Sequence, residues 1–463
     1  GVTVTVENGV TLTIGDGDSF REQAGNLHVA NGGKVQLTTG ELIVNNFTLD
    51  AQLGINTNNA STSANSGQVL HENQLKVNGD AYFQLALDPS GRNTYGWYDF
   101  TVPFDVDVIG GISIAEDPSA VMKFNVNYAV MDYTEAKRAV KGKDWNKFQG
   151  TMKPGKVYTI ALDDDYDWNT VVFKKKASAA LTGDRTLVTE YSGLGAETKD
   201  NGWNGFGNGT LHHTELNVDG ETQIIQVYDH ANRCYQPREA KDFTIVVGMT
   251  FFTQLTQEET VELVAAEGNT KFLAPSREGR NVDNFRLSLT ADGNTYASDY
   301  LWVSADEEAT GDYIIGRDVL KMGTMNESNV ARIWSVRNGM NLCSNNLTLT
   351  DNNAICDLKL YAPKAMTYSL AIEKAPEDAN LYLTYNGNVI WDLTASPYSL
   401  DLTKGTTEGY GLQLEVINAP QITTGVDEID GEKEGNRKVL IGNDIYIITK
   451  EGAIFNATGK KVK

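Results

Sequence analysis

At 463 residues the chain is too long for one hydrophobic core, so two to four domains of roughly 100–200 residues are expected. Forty per cent hydrophobic and 9% aromatic residues exclude wholesale disorder. The net charge of −22 argues against nucleic acid or an anionic membrane surface as partner and is read first as solubility.

No stretch approaches the ~18 apolar residues of a membrane-spanning helix. Gly1 stands directly against a strand pattern. The chain is therefore expected to be a processed or recombinant fragment, and a missing targeting segment carries no information.

Val2, Val4 and Val6 alternate with polar residues, Glu7-Asn8-Gly9 turns, and Val10, Leu12 and Ile14 alternate again. Period-two alternation puts one apolar row on a single strand face, and Asn-Gly supplies positive φ for a tight corner. Sliding this segment along the chain by 23 positions places Val4, Val6, Asn8, Gly9, Leu12 and Ile14 on Leu27, Val29, Asn31, Gly32, Val35 and Leu37. Such a repeat reads as rungs of a β-solenoid, with ordinary meander strands as the alternative. Two rungs do not bury a core alone, so they must dock on the downstream chain or continue rungs before Gly1.

Residues 51–68 are small and polar and read as a loop. Strands resume at Leu75-Lys76-Val77 and continue to about Leu263. One short helix interrupts them: Thr134 as N-cap, Glu135 in the first turn, then Ala136 to Val140, ending before Gly142. A weaker helical or strand segment occupies 257–268. From Thr270 to about Val416 the pattern is again all strand. Its clearest hairpin is Leu381–Tyr385, turning at Asn386-Gly387-Asn388 into Val389-Ile390-Trp391, with Gln413–Ile417 as closing strand. Residues 419–436, with Pro420 and five acidic residues, read as a linker, and two short hairpins come after it.

Asp163, Asp165 and Asp167 copy the first half of a calcium loop, where carboxylate oxygens converge on the ion. The second half fails, because Trp168 replaces the turning glycine and Lys174 the bidentate glutamate. A solvated acidic turn fits better, and calcium is the one cofactor the sequence raises. His212 and His213 are adjacent, so on a strand they point to opposite faces. With His230 they are read as surface residues. Cys343 and Cys356 lie 13 apart across a turn-rich stretch that a hairpin would bring to disulfide range, against the alternative of two buried thiols. No C-x-x-C pair, G-x-S-x-G elbow or phosphate-binding glycine loop occurs. Paired glycosidase carboxylates leave no local signature, so a polysaccharide hydrolase stays as a third reading. Trp145, Trp168, Trp203, Tyr228 and Tyr235 fall on predicted loops and strand ends, where exposed rings stack on sugar faces; core packing is the alternative for each.

Three strings carry a resemblance: Trp97-Tyr98-Asp99-Phe100-Thr101-Val102-Pro103-Phe104-Asp105-Val106, Gly202-Trp203-Asn204-Gly205-Phe206-Gly207-Asn208, and Gly248-Met249-Thr250-Phe251-Phe252. With Asp299–Asp318 and the ending Ile445 to Val462, they resemble modules of large secreted and outer-surface proteins of Bacteroidales-type bacteria, over about residues 75–463. Here Gly209 stands where that family usually has Pro. The resemblance implies export, a modular all-β body and an adhesin-like or scaffold role, with a C-terminal module associated with sorting to the cell surface. Its motifs are structural and not catalytic.

Together these readings predict an all-β, extracellular or outer-surface monomer. It has a short β-solenoid-like segment with its polar loop (1–74), a β-sandwich-like domain with one short helix (75–269), a second β-sandwich (270–418), and an acidic linker with a C-terminal β-hairpin module (419–463). The expected function is non-enzymatic, of adhesin or scaffold type, toward a host or bacterial surface ligand such as a glycan. Carbohydrate binding through exposed aromatics is the alternative, and neither nucleic acid nor membrane insertion is expected.

Overall fold

The computed structural model describes residues 2–15, 21–53, 66–87, 96–138, 144–163, 168–181, 185–188, 198–215, 224–229, 232, 234–240, 243–255, 260–263, 281–323, 330–417, 437–441, 444–448, 454–456 and 460–461. Among them the chain is almost entirely β. The exceptions are a four-residue helix, Glu135–Arg138, and single 3-10 turns at Glu72–Gln74, Thr198–Asp200 and Asp292–Asn294. Gly1–Ile417 forms one compact unit and Asn418–Lys463 a second. In the second, Arg437–Ile441, Asp444–Ile448 and Ile454–Asn456 make a three-stranded antiparallel sheet; the expected linker lies outside the described residues.

The N-terminal strands pair in parallel. Thr3–Val6 lies beside Arg21–Val29 with Val4 opposite Leu27 and Val6 opposite Val29. Thr11–Ile14 lies beside Lys34–Leu37 with Leu12 opposite Val35 and Ile14 opposite Leu37. Both registers match the sequence repeat. Arg21–Val29 pairs in parallel again with Glu41–Gln52, and Lys34–Leu37 with Gln68–Leu70. Inward-facing Val6, Leu27, Val29, Val35, Leu37, Phe47 and Leu49 stack into a buried column. A polar ladder runs along the rungs: Asn46 Nδ2 donates to Asn26 Oδ1 at 3.0 Å, and Asn26 Nδ2 to Thr3 Oγ1 at 3.4 Å. At one corner Gly15 holds φ +88°, and a Cβ there would lie 2.1 Å from Gly40 N. The strand Glu41–Gln52 takes in Ala51 and Gln52, at the start of the expected loop, because Ala51 is buried in the same column.

These rungs do not stand alone. Glu41–Gln52 pairs in parallel with Ala81–Ala86, which pairs antiparallel with Thr170–Lys174 and through it with Ile112–Ile114. One sheet thus begins parallel and ends antiparallel, and one hydrophobic core extends from Val6 to Leu255. Phe100, Val102 and Phe104 are buried in it, and the strand stops at Phe100, so Pro103 costs no ladder bond. Two further sheets close the core: Trp97–Phe100, Tyr158–Leu162, Tyr128–Tyr133 and Trp145–Lys147, and then Trp203–Gly207, Thr250–Gln254, Ile224–Asp229 and Cys234–Glu239. Gly209 passes so near Gly155 that a Cβ would sit 2.4 Å from its nitrogen. In the weaker segment at 257–268, Thr260–Leu263 is a strand.

Among the described residues between Asn281 and Val416, eleven strands form a single sheet that curls around its own core of Phe285, Leu287, Leu301, Val303, Leu358, Leu381 and Leu414. In the expected hairpin Tyr385 pairs with Asn388 across a two-residue turn, with φ +49° at Asn386 and +77° at Gly387. Asn388 therefore begins the return strand. The closing strand starts earlier than its apolar pattern suggests, running Gly405–Val416, because ladder hydrogen bonds carry its Thr- and Gly-rich first half. Cys343 and Cys356 are free thiols. The strand Arg332–Arg337 pairs with both of their strands, and Cys343 belongs to a different cluster from the core that Cys356 packs against.

Ionic groups are buried within this sheet. Fully buried Asp299 accepts from Lys321 Nζ at 2.6 Å and from the Ile333 backbone N–H at 2.9 Å, with the buried Arg332 guanidinium 3.5 Å away. Removing the carboxylate takes the buried counter-ion from Lys321 and one ionic contact from Arg332. Asp299→Ala should cost about 3–5 kcal/mol of unfolding free energy, checked by urea titration; a loss under about 1 kcal/mol would contradict a buried ionic anchor.

Candidate functional site

The aromatic residues singled out from the sequence divide into two groups. Trp168 and Trp203 are fully buried. Trp168 Nε1 donates to Asp163 Oδ1 at 3.2 Å, and Trp203 Nε1 to the Lys199 carbonyl at 2.9 Å, so each indole faces inward with its polar edge satisfied. Neither ring is open to a sugar face. Trp145, Tyr228 and Tyr235 are half-buried.

Trp145 and Tyr235 line one cleft of about 710 Å³ in the compact unit. Tyr133 and Phe252 share it from the first core's sheets, and Leu320, Met322 and Met340 close it from the curled sheet. The rings interlock edge to face: Tyr133 to Trp145 at 5.5 Å, Tyr133 to Phe252 at 4.9 Å, and Tyr235 to Phe252 at 5.6 Å. Tyr228 backs Tyr235 at 5.1 Å without lining the cleft. The helix Glu135–Arg138 sets the polar side. Glu135 accepts the Gly202 N–H at 2.9 Å, which brings the Arg138 guanidinium 5.1 Å over the Trp203 ring and 3.4 Å from Asp144. The cleft therefore offers an apolar aromatic wall beside the Arg138–Asp144 pair and two lysines, Lys199 and Lys321. That combination suits a ligand with a flat apolar face and polar edges.

Sequence reasoning missed Tyr133, Phe252, Met322 and Met340, which come from well-separated segments. Phe252 did carry a signal: Phe251 and Phe252 are adjacent on one strand, so as Phe251 enters the first core Phe252 must face away from it.

Asp99 lies behind the aromatic wall and accepts the Tyr235 hydroxyl. Burial pushes its carboxyl up to about 6, against the opposing hydrogen bond from Tyr235. Burial likewise holds the Tyr235 hydroxyl well above its ordinary value.

The expected acidic loop is described only at Asp163, whose two carboxylate oxygens accept from Asn127 Nδ2 at 2.8 Å and from Trp168. Asp165 and Asp167 lie outside the described residues. Among the described residues no group of three His, Cys, Asp or Glu side chains could hold a metal ion. His212 and His213 are not surface residues. The stretch from Asn208 to Thr214 packs under the last parallel rung, where the Val69 N–H donates to the Leu211 carbonyl at 2.6 Å and the His213 N–H to Gln68 Oε1 at 3.3 Å. His212 is fully buried, and burial pushes the His213 imidazole down to about 4. His230 lies outside the described residues.

Comparison with family models, with curated proteins and with solved structures finds no match for this chain.

Asp99 and His213 give opposite acid responses. Between about pH 6 and 4 the folded chain holds a proton on Asp99 that the unfolded chain has released, so acid favours folding. Between about pH 6.5 and 4 the unfolded chain holds a proton on His213 that the folded chain rejects, so acid favours unfolding. Each shift corresponds to about 3 kcal/mol across its window. On going from pH 7 to 4.5, Asp99→Asn should lose more stability than the wild type, and His213→Gln less, by chemical denaturation at each pH. Parallel profiles for all three proteins would refute the assignment.

Proposed function

We propose that this chain is a non-enzymatic extracellular or cell-surface protein of adhesin or scaffold type, acting as a monomer on a host or bacterial surface ligand. In this reading the parallel rungs are a short β-solenoid, and two sandwich-like domains come after it. The register between Val4 and Leu27, and between Leu12 and Val35, supports the solenoid. The secreted bacterial modules that the middle and end of the chain resemble support the location. A net charge of −22 suits a soluble surface.

Carbohydrate binding is the second reading, and the cleft favours it. Trp145 and Tyr235, both sugar-stacking candidates, line the same wall with Tyr133 and Phe252. Among the described lining residues Asp144 is the one carboxylate, and it is paired with Arg138. Glycoside hydrolysis in its common form takes two carboxyl groups flanking the bond, so this geometry favours binding over cleavage.

A glycan array probed with the whole chain should give signals that Trp145→Ala weakens about tenfold, the loss of roughly one stacking contact. Incubation with a polysaccharide panel should release no reducing ends. An array silent for the wild type would remove the carbohydrate reading, and reducing-end release would remove the non-enzymatic one.

A further inference from the structure

A second pocket, of about 410 Å³, opens in the curled sheet near the turns at Asn338, Gly387 and Gly409. Asn345 lines it. This side chain is fully buried, and neither its Oδ1 nor its Nδ2 has a hydrogen-bond partner. Buried carboxamides are almost always bonded on both atoms, so one bonded on neither calls for a group supplied from outside. Arg337 lines the same pocket. Its Nη1 donates to the Asn346 carbonyl at 2.9 Å and its Nη2 to Asp318, while Nε has no partner. Asp318 thus already neutralises the guanidinium, and the donor left over faces no requirement for an anion.

The rim is aromatic and open. Tyr410 lines the pocket and packs against the exposed ring of Tyr385, with centroids 5.0 Å apart. Gly411 keeps the wall thin, since a Cβ there would lie 2.7 Å from Thr384 Oγ1.

We propose that this pocket is a binding site for a neutral saccharide. Two adjacent hydroxyls meet the side-by-side acceptor and donor of Asn345, the Arg337 Nε–H takes a third oxygen, and Tyr410 covers the sugar's apolar face. A peptide amide would match Asn345 alone but would leave the ring without a flat aliphatic face to cover. The site is separate from the aromatic cleft and shares no lining residue with it. The proposal therefore stands or falls independently of the cleft reading.

The test is saturation-transfer NMR on the whole chain in the Trp145→Ala background, which weakens the cleft. The probes are millimolar methyl glycosides of glucose, galactose, mannose and N-acetylglucosamine, with glycinamide as the amide control. At least one glycoside should give a signal, reduced about tenfold by Asn345→Leu and by the rim change Tyr410→Ala. Asn345→Leu removes two buried polar atoms that make no bond in the free fold, so its Tm should hold or rise. Four results would overturn the site: no glycoside signal, a signal indifferent to both changes, a signal from glycinamide alone, or a Tm drop of several degrees in Asn345→Leu. The last would mean that the carboxamide is satisfied within the free protein.

Discussion

The strand Asp299–Asp306 is buried along its whole length on both faces, and the compact unit is organised around that constraint. Leu301, Val303 and Ala305 enter the core of the curled sheet, while Tyr300 and Trp302 on the opposite face join Val157, Trp203, Ile224 and Phe252 of the first body. A strand covered on both sides cannot be solvated on either, so the sheet that carries it needs the first body as a second layer. Several hydrogen bonds cross this seam. Trp302 Nε1 donates to Glu239 Oε1 at 2.7 Å, Gln226 Nε2 to the Leu320 carbonyl at 3.0 Å, and Tyr313 Oη to Gln254 Oε1 at 2.6 Å. The Arg238 guanidinium lies 5.1 Å over the Tyr300 ring. These direct bonds between buried groups make the seam resemble an interior more than a loose interdomain contact.

The ionic groups arise from the same burial. On its outward face Asp306 accepts from Arg317 at 3.0 Å and from Asn346 Nδ2 at 2.8 Å, and Asp318 accepts backbone N–H groups of Ile314 and Asn346. These bonds hold the excursion between Asp306 and Asp318 against the sheet. The string Gly316-Arg317-Asp318, one of the marks of resemblance to surface modules, therefore has a structural task here: it ties down a long connection whose backbone groups would otherwise be stranded. Such networks add little net stability, but they penalise every packing that breaks them.

How much of this was legible depended on whether the signal was local. The register of the parallel strands was legible because identical side-chain spacing on both segments dictates which residues stack. The Asn386-Gly387 hairpin was legible because positive φ at two successive positions is written in those two residues. The all-β character needed only the density of such features. The cleft was not legible, because its rings are contributed by strands distant in the chain and each ring alone reads equally well as core. Trp168 and Trp203 show the ambiguity: a tryptophan beside a turn is buried here because Asp163 and the Lys199 carbonyl are in reach of its N–H. The histidines misled for a related reason. Alternation describes a strand in isolation, and His212–His213 lie in an irregular stretch enclosed by a rung more than a hundred residues earlier. The run from Tyr300 to Val303 did hold a clue, since four consecutive large apolar residues leave no polar face and mark a strand covered on both sides.

The strand Ala81–Ala86 explains how a parallel stack and an antiparallel body share one core. Its one edge takes Glu41–Gln52 in parallel and its other takes Thr170–Lys174 antiparallel, while Ala81, Phe83 and Leu85 face the common interior. Phe83 stacks on Phe173 at 6.0 Å, and Phe173 on Phe100 at 4.9 Å, so aromatic contact passes from the last rung into the first body without a gap. A stack of so few parallel strands has too little apolar surface to order itself, because each strand buries its inner face only against its neighbours. Continued edge to edge by the antiparallel strands of the same sheet, the stack needs no separate cap at that end. The parallel rungs thus owe their order to the antiparallel body, and the whole first core should gain or lose structure together.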